Sequence, residues 1–150
     1  QYGQDFYIAD FVCYNGKVEV IEGLIVEGLL KHKVKVCQVE SNRGGTLFAQ
    51  SITEKLRAAG GSTQITTKWT QSNKETRIII NSTWVKNHCL FRYESDYRTD
   101  KEYRTAMNLL FSYSMAGKNK HDDVPDVMAL MAEFCMNIGG AQAEVFNRPW

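Results

Sequence analysis

The side chains best suited to chemistry are concentrated in one short run, residues 118–126, which we call the acidic segment and which reads Lys-Asn-Lys-His-Asp-Asp-Val-Pro-Asp. Its carboxylates belong to Asp122, Asp123 and Asp126. Negative charges packed this closely repel one another by more than about 1 kcal/mol each where the effective dielectric constant is low. A chain accepts that cost for solubility, to cap a helix or to bind a divalent cation.

A helix cap explains much of the acidic segment. Asp123 would be the N-cap, Asp126 the acid at the third helical position, and Pro125 would fit the first helical turn. Capping leaves His121 and the remaining Asp unexplained. In the alternative interpretation, Asp123 and Asp126 share a helix face and bind one hard cation through oxygen. The residues alone leave both interpretations open.

A second acid, Glu40, follows the apolar stretch 34–39, which predicts a short and central strand. An acid at a strand end can be an ordinary solvated loop residue, but ligands of open α/β sheets bind at the carboxyl ends of strands. We therefore expect Glu40 and the acidic segment to be two parts of one site. The Gly44-Gly45 pair that follows either opens a phosphate-binding helix N-terminus or serves only a tight turn.

The motifs that are missing narrow the chemistry. The sequence has no G-x-x-x-x-G-K-[ST] loop and no G-x-S-x-G elbow, and its three histidines lack zinc-type spacing. Carboxylates without His or Cys partners favour Mg²⁺ or Mn²⁺ over zinc. These features favour phosphodiester hydrolysis by a two-metal site. The basic residues placed to contact phosphates are Lys74, Arg77, Lys118 and Lys120. In the alternative interpretation, Lys74 and Arg77 are part of a solvated helix start.

The remaining sequence predicts one α/β domain. The chain has 150 residues, 43% hydrophobic and 23% charged, and its net charge of +1 would attract a polar partner only through a local patch. No segment is apolar enough to span a membrane, and no signal peptide is recognisable. Predicted strands cover 6–14, 34–39, 64–69 and 88–91, and predicted helices cover 20–31, 47–56, 74–87, 100–115 and 123–138. Free thiols in a reducing compartment are expected at Cys13, Cys37, Cys89 and Cys135.

Three motifs in fixed order point to a family. They are Glu40-Ser41-Asn42-Arg43-Gly44-Gly45 with Phe48-Ala49, then Asn73-Lys74-Glu75-Thr76-Arg77-Ile78, then Gly117 followed by the acidic segment. This ordered set, together with the stretch from Phe6 to Glu40, resembles the C-terminal nuclease domain of tailed-phage and prophage terminase large subunits. Those proteins are the motors that cut and package viral DNA.

The resemblance implies an RNase H-like mixed sheet flanked by helices over residues 1–138, followed by an irregular tail at 139–150. It also implies an endodeoxyribonuclease that uses Mg²⁺ or Mn²⁺ at a two-metal site and cuts concatemeric double-stranded DNA. The metal-binding and catalytic positions carry over to Glu40 and to Asp123 or Asp126, with Asp123 favoured. The DNA contacts implied are Arg43, Lys74, Arg77, Lys118 and Lys120.

The chain departs from the family pattern at its start. The family's first metal-binding Asp lies on a strand before the one that matches Tyr7 to Val12, so Asp10 is not expected to be catalytic. We expect that strand, its Asp and the ATPase domain to be missing, and cleavage to be weak or absent. The partners implied are double-stranded DNA, the ATPase domain, the portal and the small terminase subunit, in the host cytoplasm and without a membrane. The alternatives are a Holliday-junction resolvase type of nuclease and a catalytically incomplete DNA-binding or assembly module.

Overall fold

A computed structural model describes residues 3–114, 117 and 119–139. The strands are β1 Phe6–Tyr7, β2 Val36–Glu40, β3 Gln64–Lys68 and β4 Cys89–Leu90. The helices are α1 Val18–Lys31, α2 Gly45–Ala58, α3 Lys74–His88, α4 Glu94–Tyr97, α5 Lys101–Ser112 and α6 Asp123–Gly139, with a 3₁₀ turn at Asn42–Gly44 before α2. None of the described helices is long and apolar enough to cross a membrane.

The chain forms two compact units. Residues 8–72 and 91–108 form one, which we call the Glu40 unit. The other, which we call the acidic unit, consists of the described residues within the ranges 1–7, 73–90 and 109–150. The domain bounds expected from the sequence, 1–138 and 139–150, stay a prediction, and residues 140–150 lie outside the described part of the chain.

The Glu40 unit is built on β2 and β3, which pair in parallel from Val36 opposite Gln64 to Glu40 opposite Lys68. Helix α2 provides the long connection that parallel strands require, and it ends where Gly60 takes a left-handed φ of 76°. Apolar residues three or four positions apart on α1 and α2 meet in one core. Its buried members are Val26, Leu29, Ile52 and Leu56.

The predicted strand at 6–14 is wrong beyond Tyr7, because side chains take the backbone hydrogen bonds that a ladder would need. The carbonyl oxygen of Ile8 accepts a bond from the hydroxyl of the fully buried Tyr103 at 2.7 Å. The amide of Cys13 donates to the Glu102 carboxylate at 3.0 Å. The β-branched and aromatic composition of this stretch therefore reflects packing rather than pairing.

The acidic unit packs α3 against α6, with a short parallel pairing of β1 and β4. Helix α6 buries the small residues Ala129 and Ala132 together with Met128. Cys89 and Cys135 are also buried here. Burial, with the neighbouring Cys135 thiol, raises the pKa of Cys89 to about 11. All four cysteines are free thiols, as predicted.

Most other element predictions are confirmed to within a few residues. The helix predicted at 20–31 begins at Val18, and the one predicted at 100–115 is described as Lys101–Ser112. Helix α4 was not predicted. The α/β class is confirmed, but each sheet among the described residues is parallel and two-stranded. The central position expected for β2 is therefore not seen there, and the larger RNase H-like sheet stays a prediction.

Candidate functional site

The carboxylate of Glu40 is held in place at the end of β2 by Asn42 and Thr70. The Asn42 amide donates to Oε1 of Glu40 at 3.2 Å, and the Thr70 hydroxyl donates to the same oxygen. Asn42 also donates to the carbonyl oxygen of Thr70 at 2.8 Å and accepts from its amide at 3.2 Å. This hydrogen-bonded arrangement, which we call the Asn42–Thr70 clasp, orients the Glu40 side chain.

The glycine pair after Glu40 is required by the turn. Gly44 has φ 93°, a left-handed conformation that favours glycine. A Cβ at Gly45 would lie only 1.8 Å from the carbonyl oxygen of Glu40. The tight-turn interpretation of the Gly44-Gly45 pair is therefore confirmed, while phosphate binding by the first amides of α2 stays a prediction.

A cleft of about 630 Å³ lies beside Glu40 in the same unit. Apolar side chains form much of its wall, including those of the half-buried Phe48 and the exposed Leu47. Glu22 also lines it, and the Lys55 ammonium paired with Glu22 holds the pKa of that carboxyl below its usual range. Glu40 thus lies at the border of an open, largely apolar cleft.

In the acidic segment, Asp122 and not Asp123 occupies the N-cap position. Helix α6 begins at Asp123, and the amide of Asp126 donates to the carbonyl oxygen of Asp122 at 3.0 Å. An N-cap residue is the one whose carbonyl accepts the first intrahelical bond. The predicted N-cap at Asp123 is therefore wrong by one residue.

Lys74 joins the start of α3 to the start of α6. Its Nζ lies 2.7 Å from Oδ1 of Asp122 and 2.7 Å from Oδ1 of Asp123. Partial burial lowers the pKa of Lys74, but the hydrogen bonds that its ammonium donates to the two carboxylates outweigh this effect, so the pKa is raised overall. The Asn73 side chain caps α3 by accepting from the amide of Glu75 at 2.9 Å, which fixes the turn that carries Lys74.

Arg77 and Asp126 form a buried ion pair between the same two helices. The guanidinium Nε donates to Oδ1 at 2.8 Å, and an Nη donates to Oδ2 at 2.9 Å. Arg77 is 4% exposed and Asp126 is 7% exposed. Both carboxylate oxygens of Asp126 are thus bound by one planar group, in the bidentate geometry that makes such pairs strong and specific.

The structure brings predicted site residues together in the acidic unit. Lys74 lies against Asp122 and Asp123, and Arg77 lies against Asp126, whereas Glu40 is in the other unit with Asn42 and Thr70. The remaining predicted DNA contacts are Arg43, Lys118 and Lys120. Lys120 is exposed, the Arg43 side chain is not described, and Lys118 lies outside the described residues.

Sequence reasoning missed Thr70 and gave Asn42 no role. The strand register contained a signal for both. Glu40 lies opposite Lys68 on the parallel neighbour, so the positions two residues beyond each strand end, Asn42 and Thr70, come together. Paired polar residues that follow two adjacent parallel strands are thus candidates for positioning an acid at the strand end.

Two of the acids fit one divalent cation, although the part of the chain that the structure describes gathers no three His, Cys, Asp or Glu side chains able to hold a metal. The Oδ1 atoms of Asp122 and Asp123 converge on the Lys74 ammonium, which marks a position where a cation is stabilised. Mg²⁺ usually binds through one or two carboxylates, keeping water and substrate phosphate as its other ligands. Asp126 does not fit as arranged, because Arg77 binds both of its oxygens.

Residues 1–89 match the family described as Terminase Bacteriophage T7, Ribonuclease H-like domain. The chain belongs to this family. Membership in the terminase RNase H-like family confirms the resemblance inferred from the motifs and indicates a nuclease-type function in phage DNA packaging, with DNA as substrate. The match includes Glu40 and Lys74, while the acidic segment follows the matched residues. No curated protein and no solved structure matches the chain.

Proposed function

We propose that this chain is the metal-dependent endonuclease domain of a DNA-packaging terminase and cuts concatemeric double-stranded DNA. The observation that carries the proposal beyond the family is the convergence of two carboxylate oxygens, from Asp122 and Asp123, on one cationic group at 2.7 Å each. RNase H-like nuclease domains generally use divalent metals, and paired carboxylates are the oxygen donors that Mg²⁺ and Mn²⁺ prefer. We assign residues 1–138 to this domain and propose that their strands form the larger RNase H-like sheet.

In this proposal the chain's own residues bind and orient the reacting groups. Asp122 and Asp123 would hold Mg²⁺ or Mn²⁺, which when bound activates water and stabilises the leaving oxygen of a phosphodiester. Glu40 is the second acidic position, and its fixed direction is supported by the Asn42–Thr70 clasp. Lysines at the acidic segment would contact phosphates without reading sequence.

The roles proposed for Asp126 and Arg77 can be separated by experiment. If Asp126 is a metal ligand, Asp126→Asn should weaken cation binding and leave the free energy of unfolding nearly unchanged. If Asp126 is the buried partner of Arg77, the same substitution should lower the free energy of unfolding. The bidentate burial supports the second role, in which the pair holds α6 against α3 and thereby places Asp122 and Asp123 beside Lys74.

Nicking of supercoiled plasmid by the chain in Mn²⁺ tests the proposal, with EDTA as the blank and the protein in large excess over the plasmid. Glu40→Gln and Asp123→Asn should each reduce nicking to the blank. The controls, Glu54→Gln in the Glu40 unit and Glu75→Gln in the acidic unit, each remove an exposed acid from the same unit and should cut like the parent.

The outcomes distinguish the alternatives. Nicking that survives both acid variants would contradict the assignment of Glu40 and Asp123. Duplex binding without any Mn²⁺-dependent nicking would favour the DNA-binding or assembly module. A strong preference for four-way junctions over linear duplex would favour a resolvase.

A further inference from the structure

We propose that Lys74 is an exchangeable internal counter-ion. Its ammonium contacts the carboxylates of Asp122 and Asp123 while no divalent cation is bound. When a cation takes its place, the ammonium becomes available to a DNA phosphate. This inference rests on the proposed function, because it takes Asp122 and Asp123 as the acids that receive the cation. It adds a coupling between cation binding and DNA binding that passes through one side chain.

The contacts of Lys74 place it where a cation would have to bind. Its ammonium lies 2.7 Å from Oδ1 of both aspartates, so the same two oxygens cannot ligate another cation until it leaves. The competition is direct, since an ammonium is a compact point charge on a flexible stem. A divalent cation carries twice that charge and gains more from the two carboxylates.

The exposure of the Lys74 contact allows exchange, in contrast to the neighbouring ion pair. The side chains of Lys74 and Asp122 are each 34% exposed, and that of Asp123 is 84% exposed. Exposed ion pairs are weak because water screens them. Arg77 and Asp126, one turn further along each helix, are buried and bidentate. The structure therefore combines a fixed ion pair, which holds the helices, with an exchangeable one at their ends.

Reciprocal coupling follows from this arrangement. If a cation releases Lys74, the freed ammonium adds a phosphate contact and DNA affinity rises. Thermodynamic linkage then requires DNA to raise cation affinity by the same factor. Removing the Lys74 charge should strengthen cation binding in the absence of DNA and abolish most of the coupling.

Calorimetric titration with Mn²⁺ tests the competition. We expect Lys74→Met to bind Mn²⁺ at least about fivefold more tightly than the parent, a typical coupling factor, and Lys74→Arg to bind like the parent. Lys120→Met is the matched control, because it removes an equal and exposed charge two residues before Asp122 and should change the affinity less than about twofold. If Lys74→Met binds no more tightly than Lys120→Met, the inference is overturned.

Duplex binding with Ca²⁺ or EDTA, followed by fluorescence anisotropy, tests the coupling. Ca²⁺ should raise the DNA affinity of the parent and of Lys120→Met by the same factor. For Lys74→Met, the factor by which Ca²⁺ raises the DNA affinity should be less than half as large. An undiminished rise in Lys74→Met overturns the inference.

The double variant Asp122→Asn/Asp123→Asn separates the two proposals. If it binds Mn²⁺ as the parent does, the proposed cation role of these acids fails and the inference fails with it. If it loses Mn²⁺ while Lys74→Met is unchanged, only the counter-ion role fails.

Discussion

The two acidic regions of the molecule position their carboxylates by different means. The Glu40 carboxylate accepts hydrogen bonds from an amide and a hydroxyl that follow the ends of two strands, while the acids of the acidic segment contact Lys74 and Arg77 of a neighbouring helix. Neutral donors orient a carboxylate. Cationic donors orient it too, but they also compete with any other cation for its oxygens. A bound metal would therefore meet a competitor in the acidic segment.

The difference within the acidic segment is one of burial. Asp126 is sealed against Arg77, whereas Asp123 is open to solvent and shares Lys74 with Asp122. Burying an ion pair makes it costly to break, because the partner left behind is an unpaired charge in a poorly hydrated place. The carboxylate thus has a structural role at Asp126 and remains available to a cation at Asp123.

The largest effect should come from breaking the buried ion pair. Asp126→Asn should destabilise the protein by about 3–5 kcal/mol, because the Arg77 guanidinium loses its charged partner inside the helix interface. Asp123→Asn is the control and should cost less than about 1 kcal/mol. Urea unfolding followed by circular dichroism measures both. Equal stabilities of the two variants would remove the distinction between the fixed and the exchangeable pair.

A smaller loss should come from the turn that follows Glu40. Gly45→Ala would place a methyl group against the carbonyl oxygen of Glu40, so the turn must open. We expect a loss of about 2 kcal/mol, measured by the same urea unfolding. Gly23→Ala, at a helical glycine where a Cβ meets nothing within 4 Å, should instead be neutral or stabilising. If Gly45→Ala were as stable as Gly23→Ala, residue 45 would not lie this close to the carbonyl oxygen of Glu40 in solution.

The smallest effect concerns the pH dependence of the Lys74 contact. The pKa of Lys74 is raised in the folded state, because the hydrogen bonds that it donates to Asp122 and Asp123 outweigh partial burial. Such a group stabilises the fold fully below its unfolded pKa of about 10.4, and the contribution is lost as the pH rises through the folded pKa. Lys74→Met should thus be less stable than the parent by under about 1 kcal/mol at pH 8. The difference should vanish at higher pH, and a difference that grew instead would contradict this.

Local sequence patterns predicted the periodic elements well. The apolar residues of the helices Val18–Lys31 and Gly45–Ala58 recur at helical spacing, which predicted both. Residues 8–14 were misassigned because their bonding partners, Glu102 and Tyr103, lie some 90 positions later in the chain. A four-residue helix such as Glu94–Tyr97 is too short to show a period.

The charged residues of the acidic unit stood out in the sequence, but their pairing did not. Asp122 and Asp126 follow Lys74 and Arg77 by 48 and 49 positions, and no local pattern specifies which acid meets which base. Carboxylates predicted to bind a cation thus proved to contact lysine and arginine. The pairing depends on how α3 packs against α6, which is a tertiary property.

The melting temperature of the chain, measured with and without millimolar Mn²⁺, tests the central claim most directly. A ligand that binds only the folded state stabilises it, by about 2.7 kcal/mol at a concentration of about 100 times Kd. We predict an upward shift of several degrees in the parent and in Glu75→Gln, and the loss of most of that shift in Asp123→Asn. A full shift in Asp123→Asn would contradict the assignment of this exposed carboxylate to the cation.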